Sequence, residues 1–482
     1  MKVLLVNPSR IHVSGGKEIR VGLPAGLMYV AAALEQAGHE VRVFDFLVSR
    51  DIIFQKINDE ITRYGVSDDS FIDFLKREKP DVVGITCPST VQVSENSRVS
   101  KIVRSVYPSV PIVVGGPHFS VAGVEFMNDN PQIDIAVVGE GEVAMCEILE
   151  ALKGGLQNVR GIIFRENGQI VATETRGFLP LPDLLPAYHL WDVEASFALL
   201  ERGIGSFARK EKRSACVITS RGCPYNCVFC SIHLHMGKMW RPYSPEFVLK
   251  HIDFLVKNYR IKHISFIDDN LTLNKARFVK ILDGLLERNY GFTWDTPNGI
   301  RAETLLDEDL VRKMKKSGCI EARIGVESGV QDVLDKIVGK NLDLKTVVRG
   351  AKICKKAGLR LGACFVIGFP GEKMKDIMGT VRFAAMLRRK YRVEPGLMLA
   401  TPLFGTRLYK ICKENNYLAK EMTAKNLAIA NTPMGESMIK TGDFTPNDLH
   451  HAAVSLDRRL FMIKLYEALI SPPKLLAAIK KR

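Results

Sequence analysis

Short apolar runs alternate with longer amphipathic stretches through the first 155 residues. Val3–Val6, Val41–Phe44, Val82–Ile85, Ile112–Val114 and Ile135–Val138 are short and mainly apolar. That is the pattern of strands covered on both faces of a parallel sheet. Between them, Leu23–Gln36, Ser94–Val106, Phe119–Asn128 and Val143–Leu152 carry apolar residues at helical spacing. Such alternation predicts a doubly wound, Rossmann-like α/β domain with its ligand at the carboxyl ends of the strands.

Gly161–Phe164 and Gln169–Thr173 flank Glu166-Asn167-Gly168 and predict a hairpin turning at Asn-Gly. Pro180, Pro182 and Pro186 then mark a connector. The alternation resumes from about 213 to 402. Strands are expected at Cys216–Thr219, His263–Ile267, Phe292–Asp295, Ile320–Gly325, Leu361–Ile367 and Gly396–Thr401. Helices are expected at Pro245–Asn258, Lys275–Arg288, Asp307–Lys316, Leu344–Ala357 and Lys375–Leu387. Six βα units predict an open, partial (β/α)6 barrel with its site at the strand ends. Residues 403–482 read as a helical region. Thr445-Pro446-Asn447-Asp448 is a helix start, followed by Leu449, Ala453, Leu456, Leu460, Ile463 and Leu469 at helical spacing. The expected organisation is therefore 1–155, a hairpin and linker at 156–212, a barrel at 213–402 and helices at 403–482.

Composition narrows the class. The 482 residues are enough for two or three domains, and 46% hydrophobic content supplies sizeable cores. No apolar run approaches the roughly 20 residues of a membrane span. The first residues read as a buried strand rather than a signal peptide. Ten cysteines without secretion signals then suggest a reducing, cytoplasmic setting. A net charge of +15 points to an acidic partner or surface, or to a generally basic exterior. No nucleic-acid motif accompanies it, and no nucleic-acid partner is expected.

Candidate chemistry concentrates in Arg221-Gly222-Cys223-Pro224-Tyr225-Asn226-Cys227-Val228-Phe229-Cys230. Thiolates are the usual ligands of iron–sulfur clusters, and three nearby cysteines on a four-iron cubane leave one iron open to a small molecule. Zinc is the rival: it needs a fourth ligand, for which His233 and His235 are close, but the run lacks paired Cys-x2-Cys units.

This Cys-x3-Cys-x2-Cys run, with Phe229 before the last cysteine, resembles the signature of the radical S-adenosylmethionine superfamily. The resemblance implies that Cys223, Cys227 and Cys230 hold a [4Fe–4S] cluster and that Phe229 leans toward the adenine. Later strand ends also resemble the family. Asp268-Asp269-Asn270 would meet the amino group of S-adenosylmethionine, and Gly325-Val326-Glu327-Ser328-Gly329 its ribose or methionine portion. Ile367 would pack on adenine, ahead of Gly368-Phe369-Pro370-Gly371-Glu372, and Arg301 would pair with the cofactor carboxylate. At Thr401-Pro402-Leu403-Phe404-Gly405-Thr406, Phe404 stands where relatives often have proline.

With a doubly wound domain ahead of the barrel, residues 1 to about 400 resemble the cobalamin-binding radical S-adenosylmethionine enzymes. Gly22-Leu23-Pro24-Ala25-Gly26-Leu27, Gly38-His39-Glu40-Val41, Gly115-Gly116-Pro117-His118 and Val138-Gly139-Glu140-Gly141-Glu142 carry the resemblance. It implies cobalamin binding at Gly115, Gly116, His118, Gly139, Glu140 and Gly141. Absence of Gly-x-Gly-x-x-Gly argues against a dinucleotide. Arg10-Ile11-His12-Val13-Ser14-Gly15 partly matches the loop that gives cobalt a histidine, but Arg10 replaces the orienting carboxylate. His12 is therefore not expected on cobalt.

The resemblance implies cluster-driven cleavage of S-adenosylmethionine to a 5′-deoxyadenosyl radical, hydrogen abstraction from an unactivated carbon, and methyl delivery from methylcobalamin. The cofactors carry that chemistry and the protein positions them. Oxidative cyclisation or rearrangement is the alternative outcome, and a first domain that is only a scaffold is another. No general base is identified. A reductant such as flavodoxin or ferredoxin is implied. Arg458, Arg459, Lys464, Lys474, Lys480, Lys481 and Arg482 flank apolar segments. They point either to a hydrophobic, lipid-like small-molecule substrate and peripheral contact with the inner membrane face, or to a stripe of Leu449, Leu456, Leu460 and Ile463 packed against the barrel with the charges solvated.

Overall fold

The computed structural model describes residues 1–13, 22–49, 51–202, 204, 213–430 and 435–469. The chain forms two compact units. The first comprises Met1–Pro224, Ser231–Asp269 and Met422–Ala428. The second comprises Tyr225–Cys230, Asn270–Glu421 and the described residues beyond 428.

The first unit opens with β1 (Lys2–Asn7), β2 (Arg10–Val13), α1 (Ala25–Gln36), β3 (Glu40–Asp45), β4 (Ile53–Lys56), β5 (Ile61–Gly65) and α2 (Asp68–Glu78). It continues with β6 (Val82–Thr86), α3 (Val93–Val106), β7 (Ile112–Gly115), α4 (Phe119–Asp129), β8 (Ile135–Val137), α5 (Gly141–Ala151), β9 (Ile162–Glu166) and β10 (Gln169–Ala172). Seven strands form one sheet in the order β10-β9-β8-β7-β6-β1-β3. β1 lies parallel between β3 and β6, with Leu4 opposite Arg42 on one side and Val83 on the other. The five parallel strands thus follow a 2-1-3-4-5 order, whose direction reverses beside β1. Leu4, Val6, Val83, Ile85, Ile112 and Val114 are buried with Phe46, Phe71 and Phe119 in one core.

The hairpin predicted at Asn167-Gly168 is present. Both residues have positive φ, 50° and 81°, as a type I′ turn demands. It belongs to the main sheet: β9 runs antiparallel to β8, with Ala136 opposite Ile163. Three elements go beyond the sequence expectation. β2, β5 and β4 form a separate antiparallel sheet, and α2 is capped by Ser67, which accepts from the Ser70 amide. α6 (Val193–Glu201), capped by Asp192, interrupts the linker.

The first unit ends with β11 (Ser214–Val217), β12 (Ser220–Arg221), α7 (Ile232–His235), β13 (Arg241–Pro242), α8 (Pro245–Tyr259) and β14 (His263–Phe266). β11 and β14 pair in parallel, while β12 and β13 make a two-residue antiparallel ribbon.

The second unit contains α9 (Lys275–Arg288), β15 (Thr293–Asp295), α10 (Glu308–Lys316), β16 (Cys319–Glu327), α11 (Gln331–Val333), α12 (Leu344–Ala357), β17 (Arg360–Ile367), α13 (Met374–Tyr391) and β18 (Glu394–Leu399). β15 to β18 pair in parallel in chain order. Trp294, Ile324, Val326, Phe365 and Ile367 are fully buried. α14 (Arg407–Glu414), α15 (Ala424–Ala430) and α16 (Pro446–Leu469) make the end of the chain helical. The chain is thus α/β throughout its two sheet-bearing regions, with the expected strands and a helical C-terminal part. On α16, Leu449, Ala452 and Leu456 are buried. The expected continuation of that stripe is only half-buried at Leu460 and Ile463 and exposed at Leu469. The apolar, basic tail at 474–482 and Ser14-Gly15 lie outside the described residues.

Candidate active site

The segment into Cys223 is held by backbone geometry and two aspartates. Gly222 adopts φ +83°, and a Cβ there would lie 2.4 Å from the Met239 carbonyl oxygen, so only glycine fits. Its N–H donates to Asp269 Oδ2 at 3.0 Å, and the Cys223 N–H donates to the Gly237 carbonyl at 3.2 Å. Asp268 accepts from the Thr219 N–H at 2.8 Å and from the Thr219 and Ser220 hydroxyls, each at 2.6 Å. Burial pushes the Asp269 carboxyl up to about 6, against the pull of the Gly222 N–H. Both aspartates thus serve the turn before Cys223, a positioning task that the sequence reading did not anticipate.

In the second unit, the Val228 N–H donates to the Val338 carbonyl, and the Leu408 N–H donates to the Val228 carbonyl, both at 2.9 Å. Arg407 donates to the Asn226 carbonyl at 2.7 Å. These bonds tie the stretch carrying Cys227 and Cys230 to Val338, just before Gly339, and to Arg407 and Leu408. Phe229 lies 5.8 Å from Phe369, ring centre to ring centre, and Ile367 ends β17 fully buried. Glu372 seals that loop: one carboxylate oxygen accepts from the Gly368 and Phe369 N–H groups, both at 2.8 Å. Burial raises its carboxyl to about 7.

The Gly325–Gly329 stretch holds a cation that the motif reading missed. The β16–β17 register shifts between Gly325 and Glu327, and Glu327 takes a left-handed φ of 66°. This is costly for a non-glycine residue and aims its carboxylate at Lys340, 2.8 Å away. A side chain at Gly325 would meet Glu327 Oε1 at 2.5 Å and Lys340 Nζ at 2.9 Å. Burial opposes the Lys340 charge, but Glu327 and then Cys227 outweigh it, so its pKa is raised. Lys340 follows a single π-helical turn, Leu334–Val338, and the left-handed Gly339.

Arg301 is otherwise engaged. It donates to Glu303 at 3.1 and 2.6 Å and to the Lys340 and Asn341 carbonyls at 3.1 and 2.6 Å, with its guanidinium 4.2 Å from the Tyr225 ring centre. Four of its five N–H groups are thereby used. Ser328 is buried, within 3.1 Å of the Thr380 hydroxyl. Among the described residues, no three His, Cys, Asp or Glu side chains converge on a position for a single metal ion.

In the doubly wound sheet, the switch point lies between β1 and β6, where ligands of such folds bind. Gly116, just past β7, is obligatory: its φ is +118°, and a Cβ would lie 2.5 Å from the carbonyl oxygen of Cys87, just past β6. Gly115 ends β7. Gly139, with φ +86°, has open space where a Cβ would point, and its N–H donates to Ser120. Such bare backbone suits close approach of a bulky ligand. His118 is 3.1 Å from the Thr90 hydroxyl, and burial lowers its pKa to about 4, so its imidazole is neutral. His12 sits in β2, edge-on to Tyr64 at 5.8 Å. Gly141 starts α5, and a Cβ there would press on Val30 at 3.0 Å. Glu140 carries bonds to Arg221 and Arg241 rather than standing open.

Comparison with known proteins places these features. Residues 20–149 match the B12 binding domain, and residues 217–384 match the radical SAM superfamily. The chain is 32% identical over 420 residues to the uncharacterized methyltransferase PH0819 of Pyrococcus horikoshii, covering 87% of this chain and 84% of that protein. It is 27% identical over 394 residues to the anaerobic magnesium-protoporphyrin IX monomethyl ester cyclase of Rubrivivax gelatinosus, covering 80% and 65% respectively. The radical S-adenosylmethionine methyltransferase TsrM from Kitasatospora setae, solved with cobalamin and a [4Fe-4S] cluster, shares the fold. Its TM-score is 0.68 at 18% identity, over 94% of this chain and 81% of that one.

Proposed function

The chain belongs to the cobalamin-binding radical S-adenosylmethionine enzymes, and on that premise we propose that it methylates an unactivated carbon of a hydrophobic small molecule. It is an enzyme that methylates, and its cofactors are a [4Fe-4S] cluster, S-adenosylmethionine and cobalamin. When bound, these groups supply hydrogen abstraction and methyl delivery. The observation that carries the reading is the presence of both matched domains in one chain.

In this reading Cys223, Cys227 and Cys230 ligate the cluster, with the Lys340 ammonium favouring the Cys227 thiolate. Lys340 also receives the carboxylate of S-adenosylmethionine, a role for which Arg301 has one N–H group left. Phe229, Phe369 and Ile367 form the apolar surface for adenine, while Glu327 and Ser328 face the remainder of the cofactor. The glycines at 115, 116 and 139 admit cobalamin at the strand ends, with His118 beside it as a neutral imidazole.

Two features support the substrate class. Phe461, Met462, Leu465, Tyr466 and Leu469 are exposed on α16, and Arg458, Arg459 and Lys464 lie among them. An apolar, basic helix suits a lipid-like substrate at an anionic surface. Among the described residues no helix is long and apolar enough to cross a membrane. The net charge of +15 also suits an acidic electron donor of the flavodoxin or ferredoxin kind.

Anaerobic reconstitution with iron, sulfide and hydroxocobalamin tests the assignment. Bound iron and cobalamin, with methylated product and 5′-deoxyadenosine, are expected. Zinc without iron, or iron without cobalamin, overturns it. A dehydrogenated or cyclised product of unchanged carbon count would favour the second reading, which the 27% identity to the cyclase supports. Flotation with anionic vesicles at low salt tests the substrate class: failure to float removes the membrane argument.

A further inference from the structure

Arg221 and Arg241 are direct partners across the β12–β13 ribbon. Two like charges in that relation repel one another, and both side chains are nearly buried, 7% and 5% exposed. One carboxylate lies between them. Glu140 accepts from Arg221 Nη1 at 2.9 Å and from Arg241 Nη1 and Nη2 at 2.8 and 2.9 Å. Glu142 takes the remaining end of Arg221 at 2.7 Å. Burial opposes the Arg221 charge, but Glu142, Tyr243 and Glu140 outweigh it and hold its pKa up. Arg241 also donates to the Leu179 and Met236 carbonyls at 2.7 and 3.0 Å, while the Nε atoms of both arginines are buried without a hydrogen-bond partner, and Glu140 is the one carboxylate bonded to both guanidinium groups.

The ends of this bridge have different tasks. Glu140 and Glu142 belong to the loop and first turn after β8, where Gly139 faces open space at a strand end. Arg221 immediately precedes Gly222-Cys223, and Arg241 closes the same loop on its return. Glu140 is also the residue before the first turn of α5, yet its side chain caps no helix N–H. Its carboxylate is spent on the ribbon instead.

We propose that Glu140 is a positioning residue that couples cobalamin occupancy of the β8–α5 loop to the ribbon leading into Cys223. This inference rests on the functional reading above. Ligand-induced ordering of the loop would pass through the carboxylate to both arginines, and such coupling is reciprocal.

Hydrogen–deuterium exchange on the full chain, with and without hydroxocobalamin, tests it. In the wild type, hydroxocobalamin should slow exchange at residues 220–223 and 241–243 by about tenfold or more. In Glu140→Gln that slowing should fall below about twofold when hydroxocobalamin is raised until the visible spectrum shows the variant saturated. Glu140→Gln leaves one buried arginine charge uncompensated and could unfold the ribbon. Glu140→Gln/Arg241→Met removes one charge of each sign and should fold, yet still lack the response. Full slowing in the double variant, or none in cobalamin-loaded wild type, overturns the coupling and leaves the enzyme assignment standing. Failure of the wild type to take up hydroxocobalamin overturns both.

Discussion

Lys340 Nζ lies 2.8 Å from Glu327 Oε1, and the pair is almost wholly enclosed. A hydrogen bond to a charged group is worth about 1.5–3 kcal/mol, so Lys340→Met should weaken S-adenosylmethionine binding by about tenfold to a hundredfold. Arg301→Met should cost less than about fivefold, because its N–H groups already serve Glu303 and two carbonyls. Anaerobic titration calorimetry on reconstituted protein decides between them. The opposite ranking returns the carboxylate to Arg301.

Gly222→Ala should abolish cluster retention although it removes no ligand. The left-handed backbone alone costs an alanine about 1–2 kcal/mol. The new Cβ would also press within 2.4 Å of a backbone oxygen, which cannot swing aside as a side chain could. Iron content after reconstitution is the measurement, alongside Cys223→Ala, Cys227→Ala and Cys230→Ala, each of which should also lose the cluster. Normal iron in Gly222→Ala would show that the turn is not required.

Glu372 gives the apoprotein a pH-dependent stability. Its folded pKa of about 7 lies above the ordinary 4.5, so between these values the folded chain binds more protons than the unfolded chain. Stability from this group is complete below about 4.5 and is lost as pH rises through 7, by about 3 kcal/mol at most. Asp269, raised to about 6, acts in the same sense. Glu372→Gln keeps an oxygen for the Gly368 and Phe369 N–H groups but cannot ionise. Its melting temperature should fall less than the wild type's between pH 5 and pH 8. Parallel curves would disprove the contribution.

Cobalamin should bind without histidine on cobalt. Arg10 supplies no acceptor for the His12 imidazole, and His12 is packed in β2 against Tyr64. Paramagnetic resonance of the cob(II)alamin form should lack nitrogen hyperfine splitting, and His12→Ala should leave the spectrum unchanged. A splitting lost in His12→Ala would reverse this.

β1, β6, β7 and β8 were readable because they are buried almost end to end and so are apolar almost without interruption. β4 was not: all four of its residues are exposed, and no period-two pattern exists to find. α2 carried a Ser67 cap and a Phe71–Leu75 pair, but those two residues are all that it buries, whereas α6, capped by Asp192, buries Val193, Ala195, Ser196, Phe197 and Leu199 without a clean helical stripe. At the site, the cysteine run was legible because spacing alone defines it. Lys340 was not, because its importance arises from a register shift and a left-handed Glu327 that bring together residues 13 apart. Asp268 and Asp269 stood out in the sequence as strand-end carboxylates for the amino group of S-adenosylmethionine, while their bonds to Thr219, Ser220 and Gly222 emerge only once the chain is folded.

The β9–β10 hairpin has a practical consequence for dissecting the molecule. A fragment ending at 155 would strip β9 from β8 and leave a short, wholly apolar strand with a raw edge. Such an edge templates pairing with other chains. Continuing to residue 175 keeps the hairpin and moves the sheet's margin to β10, where Gln169 and Ala172 are exposed and the strand is at most half-buried. The longer fragment should purify as a monodisperse species and the shorter one should aggregate, a difference of twenty residues that light scattering would register directly.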